Sequence, residues 1–161
     1  TQTASFTRTA TVDKVTGQVT YTDWTSEDAE LDAVASPSIV GYTPNLANVP
    51  ALTADADTEN STVVVVYTPN AQVGTVTYID ETTGETLEVA DLTGVTDAAI
   101  GYNPAERIAH YESLGYELVS NKVPTDGVYD NIDDNSQDYQ VVLRHKIEPV
   151  TPETIDPTTN A

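Results

Sequence analysis

The sequence predicts an α+β chain of two tandem β-grasp, or ubiquitin-like, modules, each with one helix packed on a mixed sheet. Three observations lead there. Alternating apolar and polar runs recur along the chain, and threonine, 26 of the 161 residues, fills many polar positions, as suits solvated sheet faces. Helix-start signals stand at Ser26 and at Asn103-Pro104. Each is bracketed by strand-like runs, giving the order strand–strand–helix–strand–strand, in which helix and sheet bury each other's apolar surface.

The first half opens with Thr3–Asp13. Ala4, Phe6, Ala10 and Val12 lie on one face, Ser5, Thr7, Thr9 and Thr11 on the other, and Arg8 interrupts the apolar row. Lys14–Gly17 is a turn with Gly17 where positive φ is cheap, and Gln18–Trp24 is the return strand of a hairpin. Ser26–Val34 predicts a short helix capped by Ser26, with acids at 27, 28 and 30 in its first turn and Pro37 beyond its end. Ile39–Tyr42 is a short strand, 43–60 a polar loop, and the valine run in Thr62–Thr68 predicts a central strand.

In the second half, strands are predicted over Gly74–Asp80 and Glu85–Leu92, joined by the turn Glu81–Gly84. Asn103 as N-cap, Pro104 at the first helical position and Glu106 at the capping-box position start a helix. Ala105, Ile108, Tyr111 and Leu114 fall near one face, and Gly115 stops the helix. Glu117–Asn121 and Tyr139–Lys146 are the last strands, either side of an Asp- and Asn-rich loop over 124–138. The expected domains are a first module over 1–70, a second over 71–147 and a Pro-rich linker over 148–161.

Charge narrows the partners. Six Lys and Arg face 26 Asp and Glu, a net charge of -20, spread as −7 over residues 1–72, −10 over 73–146 and −3 over the tail. Phosphate neutralisation needs clustered cations, so nucleic acid and anionic membrane surfaces are poor partners. Cysteine is absent, so disulfides cannot staple either small module. The sequence shows no signal peptide, transmembrane run or lipidation signal, and the missing initiator Met suggests a piece of a longer protein.

No catalytic constellation stands out. His110 and His145 have no nucleophile motif beside them, and carboxylate pairs such as Asp133/Asp134 and Asp80/Glu81 arise by chance in a chain this acidic. Two acidic segments carry oxygen ligands that could hold Ca²⁺: Asp55, Asp57 and Glu59, or Asp130, Asp133 and Asp134. Neither matches EF-hand spacing, and a solvated acidic loop is the simpler reading. No other cofactor is expected. Aromatic side chains are the better binding candidates, since Tyr and Trp join an apolar face to a hydrogen-bonding tip. The candidates are Trp24, Tyr21, Tyr42, Tyr78, Tyr102, Tyr116 and Tyr129, with Asn131, most of them expected to pack in core or edge, and Tyr129 is expected to be the most exposed.

Ordered segments then carry a resemblance. Phe6–Gly17, Trp24 and Ser36–Pro44 in the first half, with Val76–Gly84, Leu92-Thr93-Gly94 and Gly115–Val119 in the second, resemble the mucus-binding (Mub) repeats and MucBP domains of Gram-positive gut-bacterial adhesins. The resemblance spans residues 3–146. It implies a non-enzymatic, exported, cell-wall-anchored protein of repeated modules, of which this is an internal fragment. The implied partners are host mucin glycoproteins and neighbouring repeats, with immunoglobulin as a second ligand and a purely structural stalk spacer as the third alternative. A full repeat of this kind usually carries a further strand and turn upstream of the Phe6 segment, so the resemblance implies either an incomplete first module or a module order read across a repeat boundary. The resemblance supplies no binding residues position by position.

Overall fold

The computed structural model describes residues 1–150. Most of the expected linker, 148–161, therefore lies outside the described residues. The chain divides into two units, Thr1–Pro69 and a second beginning at Asn70.

The first unit is a series of two-stranded ladders. β1 (Ala10–Val12) pairs antiparallel with β2 (Val19–Tyr21). Their turn is held by the Asp13 carboxylate, which accepts the Val15 and Thr16 N–H groups, while Gly17 takes φ 75°. β3 (Glu30–Leu31) pairs with β7 (Leu52–Thr53), β4 (Val34–Ala35) with β6 (Asn48–Val49), and β5 (Tyr42–Pro44) with β8 (Tyr67–Pro69). The helix predicted over Ser26–Val34 is absent. Its Ser26 and Asp28 side chains serve local turns instead, with Ser26 Oγ donating to Asp28 and accepting the Asp28 N–H, and Asp28 also accepting the Ser5 N–H. Such short-range bonds compete with helix, and no apolar stripe opposes them. The valine run is not a central strand either. Its end alone is tied into a ladder, Tyr67–Pro69 pairing with β5 and Val66 exchanging hydrogen bonds with Asn45, and Val63, Val64 and Val66 are exposed. The first unit is thus not a helix-on-sheet module, which corrects the expected pair of β-grasp modules.

The second unit has the predicted element order. β9 (Ala71–Asp80), β10 (Glu85–Val95), α1 (Ala105–Ser113), β11 (Tyr116–Asn121) and β12 (Ser136–His145) build a four-stranded mixed sheet and one helix. The sheet order is β10-β9-β12-β11. β9 and β12 run parallel at its centre, and the outer pairs are antiparallel. Alternation along β9 puts Gln72, Gly74, Val76, Tyr78 and Asp80 on the covered face. Tyr139 and Val141 stand beside Val76 and Tyr78 in the parallel ladder. Val76, Tyr78, Val141 and Leu143 are fully buried. Burying side chains of this kind contributes roughly 1.5–3 kcal/mol each, so this small cluster carries much of the unit.

The helix starts one residue later than the sequence predicts, with Pro104 in place of Asn103 as N-cap and its carbonyl accepting the Ile108 N–H. Asn103 Oδ1 accepts the Ala105 N–H, Pro104 already has helical angles, and Glu106 sits in the first turn. Tyr111 is buried against the sheet with Ile108 packed nearby. Gly115, at φ 97°, ends the helix and its carbonyl accepts the Lys146 N–H. No helix among the described residues is long and apolar enough to cross a membrane.

Candidate binding site

The aromatic residue left most open is built by a strand irregularity. Beyond β1 and β2 the hairpin continues: Thr22 N–H donates to the Thr9 carbonyl, and Thr7 and Thr25 exchange both backbone hydrogen bonds at 2.9 and 2.8 Å. Ala10 faces Tyr21, yet Thr7 faces Thr25, so one strand uses an extra residue over that stretch. This is a β-bulge at Asp23–Trp24, opposite Arg8. On a regular strand Tyr21 and Trp24 would point to opposite faces. Here both rings meet Arg8, whose Cζ lies 4.0 Å from the Tyr21 centroid and 4.5 Å from the Trp24 centroid. The rings remain open to solvent, Tyr21 at 57% and Trp24 at 49% exposure.

Arg8 differs from most of the chain's other cations. Arg107, Arg144 and Lys146 each hold a glutamate: Glu88, Glu117 and Glu148 respectively. Among the described residues no carboxylate lies within ion-pair distance of Arg8. The sequence reading treated Arg8 as a defect in an apolar row. The available signal was an arginine on the first strand of a hairpin whose return segment carries Tyr21 and Trp24.

The other predicted aromatics do not join Trp24. Tyr42 is half-buried in β5. Tyr102 is partly buried, its hydroxyl 2.9 Å from that of Tyr78. Tyr116 is edge-on to both Tyr111 and His145, at 5.7 and 5.3 Å between centroids. Tyr129, expected to be the most exposed, is only 3% exposed. Its ring lies against Gly94, where a Cβ would come within 2.2 Å of a ring carbon, and its backbone pairs with Asp97 and Ala98. Asn131 is exposed in the following loop.

The polar groups of the second unit serve structure. Asp80, buried at the end of β9, accepts from Thr82 N–H and the Thr83 hydroxyl and lies 2.9 Å from His145 Nε2. Burial alone would raise this carboxyl. The Thr83 and Thr82 hydrogen bonds and the His145 ring outweigh it and hold the group below the usual aspartate value. Burial, then the Tyr102 hydrogen bond, push the Tyr78 hydroxyl up. His110 is exposed beside the Tyr111 ring.

The acidic segments are similarly engaged. Asp55 accepts from Asp57 N–H and the Thr58 hydroxyl. Asp130 accepts from Ile132 N–H and Asn135, and Asp133 from Asn70 and Gln72. Among the described residues no group of three or more His, Asp or Glu side chains is arranged to hold a metal ion. Glu59, Asp57 and Asp134 thus have no metal set around them. Two clefts in the first unit, of about 500 and 530 Å³, contain no histidine.

Comparison with known proteins follows the same division. Residues 1–71 match the Muc B2-like domain and residues 72–145 the Mucin binding domain. No curated protein matches the chain. Several solved structures are similar to part of it, two of them described next. One is the Type 2 repeat of the mucus binding protein MUB from Lactobacillus reuteri, 41% identical over 47% of this chain and 41% of that one, with a TM-score of 0.46. The other is Mub-RV, 40% identical over 46% of this chain and 39% of that one, with a TM-score of 0.43. The match thus spans about two fifths of the length of each structure. A Muc B2-like domain followed directly by a mucin-binding domain places this chain in the family of mucus-binding (Mub) repeats and MucBP domains.

Proposed function

We propose that the chain is an adhesive repeat of a cell-surface, wall-anchored protein, holding mucin glycoprotein by passive contact and catalysing nothing. The observation that carries this reading is the open Tyr21–Arg8–Trp24 face, two rings brought onto one guanidinium and left about half exposed among the described residues. Rings held this way suit sugar faces, which present C–H groups for stacking and hydroxyls for hydrogen bonding. The family match supports mucin as the source of those sugars. The second unit, read from its strand order and central parallel pair, is a β-grasp module.

A single copy binds weakly on this reading, and tandem copies gain strength through effective concentration without new contacts. The test compares one and three copies of the chain on a mucin-coated surface. Retention should rise steeply with copy number, fall after periodate oxidation of the mucin glycans, and be indifferent to EDTA. Equal retention on oxidised mucin would sink the glycan reading and favour a protein-surface ligand such as immunoglobulin. No retention of three copies would reduce the module to a spacer.

A further inference from the structure

We propose that the cleft bordered by residues 1–6 and 52–61 of the first unit holds a basic peptide segment, with the stem of a lysine or arginine on its apolar part and the charged head at Asp55 and Glu59. This goes beyond the mucin reading and does not depend on it. The cleft measures about 530 Å³, within the range of built ligand pockets, roughly 300–1,000 Å³. Phe6, Leu31, Leu52 and Ala54 form its apolar part. Ala54 is buried, Phe6 and Leu31 are half-buried, and Leu52 is left 46% exposed. The ladder holds this surface in place: Leu31 pairs with Leu52, and the Ala54 N–H donates to the Ala29 carbonyl. Apolar surface is therefore preformed here and left open among the described residues.

Charge selects the occupant. Asp55 and Glu59 line the cleft, and no Lys, Arg or His does. The Thr1 amine is the one cation on its border, and no carboxylate of the described residues lies within ion-pair distance of it. Glu59 makes no hydrogen bond or ion pair among the described residues, and Asp55 engages its own turn through Oδ1 alone. A lysine or arginine side chain matches both halves, its methylene stem lying on apolar surface and its head staying near water. The net charge of -20 draws such a cation in and repels an acidic ligand. A small polyamine would meet the same two features, but a third favours a peptide. Residues 1–4 and 58–61 border the cleft outside any strand. Among the described residues, the backbone groups of Thr3, Ala4, Glu59, Asn60 and Ser61 make no hydrogen bond. An extended peptide brings both N–H and C=O groups to meet them, as in strand addition, whereas a polyamine brings donors alone.

The 161-residue chain is titrated at low salt with three probes: the acetylated and amidated peptide Lys-Thr-Arg-Thr-Lys, its acidic twin Glu-Thr-Glu-Thr-Glu, and spermidine, which carries the same charge as the basic peptide. Calorimetry reads binding, and amide chemical shifts read its place. The expected result is saturable binding of the basic peptide, with shift changes gathered on Leu31, Leu52, Glu59 and their neighbours. Spermidine should bind more weakly and the acidic twin not at all. Added salt should weaken the basic peptide, since its head stays near water. Glu59→Gln, at an exposed side chain with no partner among the described residues, keeps the fold and should weaken binding about two- to fivefold, the worth of one open ion pair. Glu85→Gln makes the same charge change on the second unit and should leave binding unchanged. Leu52→Ser should weaken binding as well, and if that variant unfolds, the two glutamate variants decide. Wild-type affinity in Glu59→Gln overturns the proposal, as does equal weakening by Glu85→Gln, which would show diffuse attraction to an acidic chain. Shifts spread over the acidic loops of both units overturn it in the same way. Spermidine bound as tightly as the peptide overturns it too, because backbone contacts then count for nothing, and so does the absence of saturable binding by the basic peptide.

Discussion

Gly94→Ala tests the packing that hides Tyr129. A Cβ on Gly94 would stand 2.2, 2.5 and 2.9 Å from the Cε2, Cδ2 and Cζ atoms of the Tyr129 ring. Three ring carbons closer than van der Waals contact cannot all be relieved by a small tilt, because the ring is buried on the core cluster. Overpacking of this kind costs about 1–3 kcal/mol. Alanine recovers about 0.5–1 kcal/mol relative to glycine in a strand, leaving a net loss of up to about 2.5 kcal/mol, toward the upper end because three ring atoms clash at once. For a unit of this size each kcal/mol lowers Tm by about 4–8 °C. Thermal unfolding followed by circular dichroism, with urea titration for the free energy, reads the effect. Tyr129→Leu removes the clashing ring atoms, so the double variant should lose about 1 kcal/mol less than the two single losses combined. A Gly94→Ala chain that melts with the wild type, or strictly additive losses, would refute the packing and return Tyr129 to the surface.

Two further outcomes follow from burial and charge. Val64→Thr should change stability by no more than about 0.5 kcal/mol, since the side chain is exposed. Leu143→Ala, at a fully buried position of β12, should cost about 2–5 kcal/mol. A large loss at Val64 in urea titration would restore the central strand read from the valine run. The carboxyls of Asp80, Asp13, Asp28 and Asp138 are all held below the usual aspartate value. As pH falls through about 4, the unfolded chain takes up protons first, so the stability these groups give above that pH is lost below it. Relief of the net charge works the other way. A urea midpoint that climbs steadily from pH 5 to 3 would show that repulsion wins, and Asp80→Asn should flatten the acid limb.

The second unit was legible because its local signals agree with one another. The alternation in Gly74–Asp80, the Asn103-Pro104 start and Gly115 each mark a strand or a helix end, and the structure meets them to within one residue, the N-cap being Pro104. The first unit was not, for a physical reason. Its strands are two or three residues long and pair in twos, and mostly cover no core, so periodicity there records no buried face. Ser26 and Asp28 look like a helix start because cap residues and turn residues use the same side-chain chemistry. Tyr129 was misplaced because polar neighbours suggest a loop tip, while the glycine that receives its ring lies far back in the chain on β10. Trp24 was named, but its partner Arg8 was not. The bulge that joins them is a matter of register between strands, which one-dimensional alternation does not reveal.

The parallel pairing of β9 with β12 bears on how the second unit meets tension. Drag on a tethered chain would pull residue 71 and residue 145 apart. Those points lie at opposite ends of the central ladder, whose eight residue pairs run from Ser136 with Val73 to Leu143 with Asp80. The two middle strands would have to slide past each other, so the rungs bear the load together instead of opening one after another like a zipper. Stretched single molecules should therefore yield at one high force, and a run of small steps would contradict it.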